Sequence, residues 1–136
     1  MPVPIEKLIP HRPPMRWIDA LVSCADTEAV ATACFNPGDF PVAGNSLLES
    51  ALVECVAQTV AAALSRRAQS QGTFERQGGG VLAAVSNFRI ASPPPLGKTL
   101  RIELRELKRF GPMLLVAGVI SCEGRLIASG ELTLNA

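Results

Sequence analysis

From residue 100 the chain alternates. Leu100, Ile102 and Leu104 are separated by Arg101, Glu103 and Arg105, the period-two signature of a strand with one face in water. Residues 113–122 form a longer apolar run, and Glu123-Gly124 predicts a tight turn into a further strand over 126–134. Upstream, residues 15–24 carry Trp17, Ile18 and Leu21 and predict a first strand. Residues 27–35 place Val30, Thr32 and Cys34 on one face of a second, with a hairpin around Ala25 and Asp26. Between these two strand regions the period changes. Residues 46–67 contain no Gly or Pro and are rich in Ala and Leu, which predicts a long helix. Ser46-x-x-Glu49 reads as a capping box at its start, and Arg66 and Arg67 stand where a helix dipole favours cations. Apolar residues fall nearly all round it, so it is expected to be buried nearly all round. A soft connection over 72–80, with Gly78-Gly79-Gly80, leads to a strand over 81–91.

Two strands, one long buried helix and then about four strands are most simply packed as one helix wrapped by a curved antiparallel sheet. That is an α+β hotdog architecture of five or six strands, expected as a single domain over residues 1–136. Such a unit leaves a sheet edge and one side of the helix for a dimer partner to cover.

Composition narrows the function classes. The 136 residues suit one core, and 13 Lys and Arg against 12 Asp and Glu give a net charge of +1. That balance supplies no global attraction to nucleic acid or to an anionic membrane. The N-terminal stretch lacks a signal-peptide pattern, and the longest apolar run is broken by Glu49, Glu54 and Gln58. Cys24, Cys34, Cys55 and Cys122 are scattered without a CxxC pair, and there is a single histidine. The expectation is free buried thiols in a cytoplasmic protein, with no metal.

Glu54 stands out among Leu52, Val53, Cys55 and Val56, beyond any capping role. An ionised carboxylate buried without partners costs several kcal/mol or is driven neutral. Gln58, four residues on, shares its helical stripe, so the two suggest a polar pocket in the core or at an interface. A purely structural carboxylate is the alternative. His11 lies in a rigid Pro-rich loop, Ile9-Pro10-His11-Arg12-Pro13-Pro14. It is either a fastener for the N-terminal arm or a general base of suitable intrinsic pKa. Asp39, Phe40 and Pro41 precede the helix and could line its N-terminus, and Gly44 would let backbone approach a ligand; an ordinary loop would look the same. Lys98, Arg101, Arg105, Lys108 and Arg109 form either a solvated strand face or a landing place for an acidic carrier protein.

Taken together, three segments resemble the bacterial 3-hydroxyacyl-(acyl-carrier-protein) dehydratases. Leu8-Ile9-Pro10-His11-Arg12-Pro13-Pro14-Met15 with Ile18-Asp19 is similar to their opening, and Val53-Glu54-Cys55-Val56-Ala57-Gln58 to their central helix. Residues 83–98 resemble their strand that runs into a Pro-Gly segment. The opening and the helix are most similar to the subgroup of aryl-polyene-type clusters. The resemblance implies loss of water from a 3-hydroxyacyl thioester by one histidine and one acidic residue, usually from opposite chains of a dimer, with no metal or organic cofactor required. It makes Glu54 the acid, with Gln58 beside it. The family's histidine loop, however, reads Gly38-Asp39-Phe40-Pro41 here and holds no histidine.

The resulting expectation is a dehydratase acting on acyl-carrier-protein or CoA thioesters, as a homodimer or paired with another hotdog subunit. Glu54 and His11 are the catalytic candidates, and Gln58, Asp39, Phe40 and Gly44 the substrate-binding ones. The missing loop histidine motivates one alternative, a degenerate subunit that supports a complete dehydratase. A hotdog acyl thioesterase is another.

Overall fold

A computed structural model describes residues 3–44, 46–70 and 81–135. A 3-10 turn at Ile5–Lys7 is followed by β1 (Ala20–Cys24), β2 (Glu28–Ala33), β3 (Val42–Ala43) and β4 (Ser46–Leu47). Helix α1 (Glu49–Ser70) comes next, then β5 (Val81–Ile90), β6 (Leu100–Phe110), β7 (Met113–Cys122) and β8 (Arg125–Asn135). Six strands form one antiparallel sheet in the order β1-β2-β6-β7-β8-β5, and β3 pairs with β4 apart from it. The helix lies across the sheet, mainly over β1, β2 and β6, which is the expected hotdog arrangement.

Side-chain alternation explains the long strands. In β6, Leu100, Ile102 and Leu104 are buried while the intervening Arg101, Glu103 and Arg105 face water. Leu114, Val116 and Ile120 of β7 and Ile127, Leu132 and Leu134 of β8 extend the same buried face. Glu123 and Gly124 both have positive φ (52° and 81°), as a two-residue hairpin turn requires.

In β2 the inward face is Ala29, Ala31 and Ala33, not the Val30, Thr32 and Cys34 face. The small alanines let the helix approach this part of the sheet closely.

Two features of the helix depart from expectation. It begins at Glu49, not Ser46, because Ser46 pairs with Ala43 and Leu47 with Val42 in a small hairpin. The Leu48 N–H donates to Pro41 O, so the capping-box reading of Ser46 fails and Glu49 simply sits in the first turn. Burial is also less than all-round: Val53, Glu54, Ala57 and Leu64 form a flank that is only half-buried. At the other end Arg67 acts as a clasp. Its Nε donates to Ala25 O at 2.9 Å and its Nη1 to Glu106 Oε2 at 3.2 Å, fastening the β1–β2 turn and β6 to the helix. The glycine-rich connection expected at 72–80 lies outside the described residues.

Two glycines set the closeness of packing. Gly118 of β7 pairs with Gly130 of β8. A Cβ on Gly118 would stand 2.8 Å from Val56 Cγ1 of the helix, and one on Gly130 would stand 2.7 Å from Phe88 Cα of β5. Gly130→Ala is therefore expected to cost about 1–3 kcal/mol, since a backbone clash cannot be relieved by a rotamer change. A Val56→Ala background should rescue Gly118→Ala but not Gly130→Ala, as read by urea melts.

Candidate active site

The N-terminal arm is built into the core before it presents any chemistry. Ile5, Leu8, Ile9 and Ile18 are buried. Arg12 folds back to donate to Ile9 O, His11 O and Glu6 O at 2.8–2.9 Å, and Arg16 pairs with the Glu6 carboxylate. Gln69, near the helix end, donates to Lys7 O at 3.0 Å. This loop is thus tied down on both sides of His11.

Gln58 supplies the decisive tie. It is 1% exposed, and its Oε1 accepts from Trp17 N at 2.9 Å and Ile18 N at 3.3 Å. Its Nε2 donates to Met15 O at 2.9 Å and to Glu54 Oε2 at 3.1 Å. Both lone pairs and both hydrogens of the amide are used, so its partners dictate its orientation. Because Gln58 and Glu54 are four apart on one helix, the clamp on the arm is also a clamp on the carboxylate.

The arm so held brings His11 Nε2 to 3.5 Å from Glu54 Oε2. The two side chains are 31% and 35% exposed, at the border between core and solvent. Glu54 is accordingly not the buried member of the stripe; Gln58 is. His11 Nδ1 is buried without a hydrogen-bond partner among the described residues. At this separation the imidazole and the carboxylate are in ion-pair range and could pass a proton through one bridging water, and each can also reach a ligand from the open side.

The loop before the helix stands apart from this pair. Asp39 Oδ2 accepts from Asn36 N at 2.8 Å, closing its own turn, and no hydrogen bond or ion pair joins it to Glu54 or His11 among the described residues. Phe40 is 64% exposed. Gly44 has φ +62° and open space where a Cβ would be. Asp39 and Phe40 line a cleft of about 340 Å³ with Pro13, Arg16, Trp17 and Asp19, and Trp17 meets Phe35 edge to face at its wall. The segment does lie at the helix start, where Pro41 O receives the Leu48 N–H.

Asp19 was invisible to an argument from residue chemistry. Its Oδ2 accepts from Cys34 N at 2.9 Å and its Oδ1 lies 3.9 Å from Arg16 Nη2. Burial pushes its carboxyl above the usual 3.8, opposed by the Cys34 N–H and by Arg16 and reinforced by the Asp39 charge. The charged form of this group is less favourable in the fold than in the unfolded chain. Its ionisation therefore costs stability, absent below the ordinary carboxylate pKa and setting in as pH rises through the raised one. Asp19→Asn, which keeps an acceptor for Cys34 N, should match the wild type in melting at about pH 3 and exceed it at about pH 7. Burial is the main cause of this shift, with the Asp39 charge adding to it, and neither has a local sequence signal.

Cys55 is fully buried, and burial, with the Glu54 and Asp19 charges, pushes its thiol strongly up. It is therefore an inert packing group beside the site. Among the described residues no group of three or more His, Cys, Asp or Glu side chains could hold a metal ion. Of the basic strand residues, Lys98 pairs with Glu123, Arg101 with Glu103 and Arg109 with Glu106, while Lys108 lies over the Phe110 ring. That is a solvated strand face for the most part. No helix among the described residues is long and apolar enough to cross a membrane.

Similarity to known proteins follows the same lines. The chain is 25% identical over 136 residues to the 3-hydroxyacyl-[acyl-carrier-protein] dehydratase FabZ of Solibacter usitatus, covering 93% of this chain and 79% of that one. It is 29% identical over 143 residues to the FabZ of Francisella tularensis subsp. novicida, covering 94% and 86%. In structure it matches the dehydratase heterocomplex ApeI:P from Xenorhabdus doucetiae with a TM-score of 0.89 at 18% identity, over 98% of this chain and 90% of that one. It matches the PaaI protein of E. coli with a TM-score of 0.67 at 17% identity, over 85% and 81%. At these identities the two structures speak for the fold. The sequence model of the ApeP-like family, described as ApeP dehydratase, matches residues 3–135, from the buried arm through the Glu54 helix to the last strand: the chain belongs to the ApeP-like dehydratase family.

Proposed function

We propose that this chain removes water from 3-hydroxyacyl thioesters to give 2-enoyl thioesters for fatty-acid or polyene-type biosynthesis in the cytoplasm, with an acyl carrier protein as thioester carrier. The observation that carries this is the His11–Glu54 pair at 3.5 Å, held by the saturated Gln58 amide. Elimination needs one group to accept the C2 proton and another to protonate the departing C3 hydroxyl. Glu54 and His11 fill these two roles. Oε2 of Glu54 already faces Gln58 and His11, which leaves Oε1 for the substrate. After water leaves, one member of the pair has gained a proton and the other has lost one. Proton transfer between them, through one bridging water or once the gap tightens on substrate, restores the resting state, and no cofactor enters. Asp39 and Phe40 line a neighbouring cleft that could receive part of the substrate, and backbone N–H groups at the start of α1 would polarise the thioester carbonyl.

The substrate site is completed by a second hotdog subunit, a copy or a related chain, lying along β5. That strand is one of the two edges of the sheet, and its Leu82 and Val85 are 37% and 44% exposed. An edge of this length needs cover. Light scattering of the purified chain reads whether it pairs with itself. The test of the activity is incubation with a 3-hydroxyacyl carrier protein, followed by mass spectrometry. Loss of one water supports the reading; release of free carrier thiol would favour thioester hydrolysis instead.

A further inference from the structure

We infer that the chain assembles its acid–base pair within one subunit, so that a second copy closes the pocket without lending it a histidine. The inference rests on the dehydratase reading above. His11 is the only histidine, and its Nε2 is 3.5 Å from the Glu54 carboxylate of the same chain. The arm that carries it is not free to exchange with a neighbour's. Ile5, Leu8, Ile9 and Ile18 are at most 4% exposed in the chain's own core. Gln69 holds Lys7 on one side of His11, and Gln58 holds Met15, Trp17 and Ile18 on the other. An exchange of arms would have to empty that core and break all of these bonds together. The loop that by resemblance bears the family's histidine carries Asp39, whose Oδ2 serves its own turn. A second copy therefore has no other histidine to give, and the number of His–Glu pairs equals the number of chains.

Differently tagged chains, co-expressed and isolated as mixed dimers, test this. A dimer of one His11→Ala chain and one Glu54→Gln chain should stay as inactive as either parent. A dimer of wild type and the double variant should keep about half of wild-type turnover, one intact site of two. A pair shared between subunits gives the reverse: about half in the first dimer and none in the second, which would overturn the inference. Should no preparation turn over, the dehydratase reading falls while the pairing is still decided by NMR of the single histidine. Its imidazole signals should move on Glu54→Gln. In a labelled wild-type chain assembled with an unlabelled Glu54→Gln partner they should stay at the wild-type positions. Signals that do not move on Glu54→Gln, or that follow the partner's mutation, would overturn it.

Discussion

Glu54→Gln is expected to lower dehydration by about two to four orders of magnitude, the range that a positioned proton-transfer group contributes. The amide keeps the size of the carboxylate, and its oxygen can still accept from Gln58 Nε2, which donates to Glu54 Oε2 at 3.1 Å in the wild type. What disappears is the capacity to take and return a proton. Glu54 is about one-third exposed, so the substitution leaves no desolvated charge behind, and melting should shift by no more than about 0.5 kcal/mol. Loss of activity without loss of fold is the signature of a reacting group. His11→Gln should also lower turnover with little change in stability. If the two groups act as one unit, the double variant should be little worse than Glu54→Gln alone. Single-turnover mass spectrometry of the carrier-bound product is the readout.

Gln58→Leu should have the largest effect on stability. Leucine fills much the same volume but leaves Trp17 N, Ile18 N and Met15 O without the partners that Gln58 provides. A buried polar group left unpaired costs about 1–3 kcal/mol, and three of them take a large part of an ordinary domain's margin of about 5–15 kcal/mol. The arm should loosen, His11 should leave Glu54, and activity should fall with stability. Gln58→Glu separates the two functions of the amide. One carboxylate oxygen can still accept from Trp17 N and Ile18 N, but the other now faces Met15 O and Glu54. Acidification, by protonating the new carboxylate into a donor, should restore part of its stability and none of that of Gln58→Leu. Urea melts across pH check both variants.

These expectations show which parts of the molecule were open to a reading of residues alone. The β6, β7 and β8 strands were legible because one face of each is in the core, and a half-buried strand writes its period into the chain. The Glu123-Gly124 turn was legible because its backbone demands positive φ. The helix start was misplaced because Ser46-x-x-Glu49 satisfies the capping pattern, while the hairpin with Val42 and Ala43 that claims Ser46 is tertiary. The inward face of β2 was missed for a similar reason: alanine carries little hydrophobic signal, and only the approach of the helix makes Ala29, Ala31 and Ala33 core residues. In the site, the Glu54–Gln58 stripe could be seen because both lie on one helix. Its division of labour could not, since Gln58 is buried and Glu54 is not through contacts made by the arm. Whether His11 reached Glu54 was undecidable from spacing, and it is the Gln58 clamp on Met15, Trp17 and Ile18 that brings them together.

The central claim, that Glu54 and His11 move the C2 proton of an acyl thioester, is tested most directly by running the reaction backwards in heavy water. A 2-enoyl thioester incubated with the wild-type chain in D2O should become a 3-hydroxyacyl thioester carrying one deuterium at C2, and neither Glu54→Gln nor His11→Ala should introduce it at a comparable rate. Deuterium incorporation by a folded Glu54→Gln chain at the wild-type rate would contradict the account.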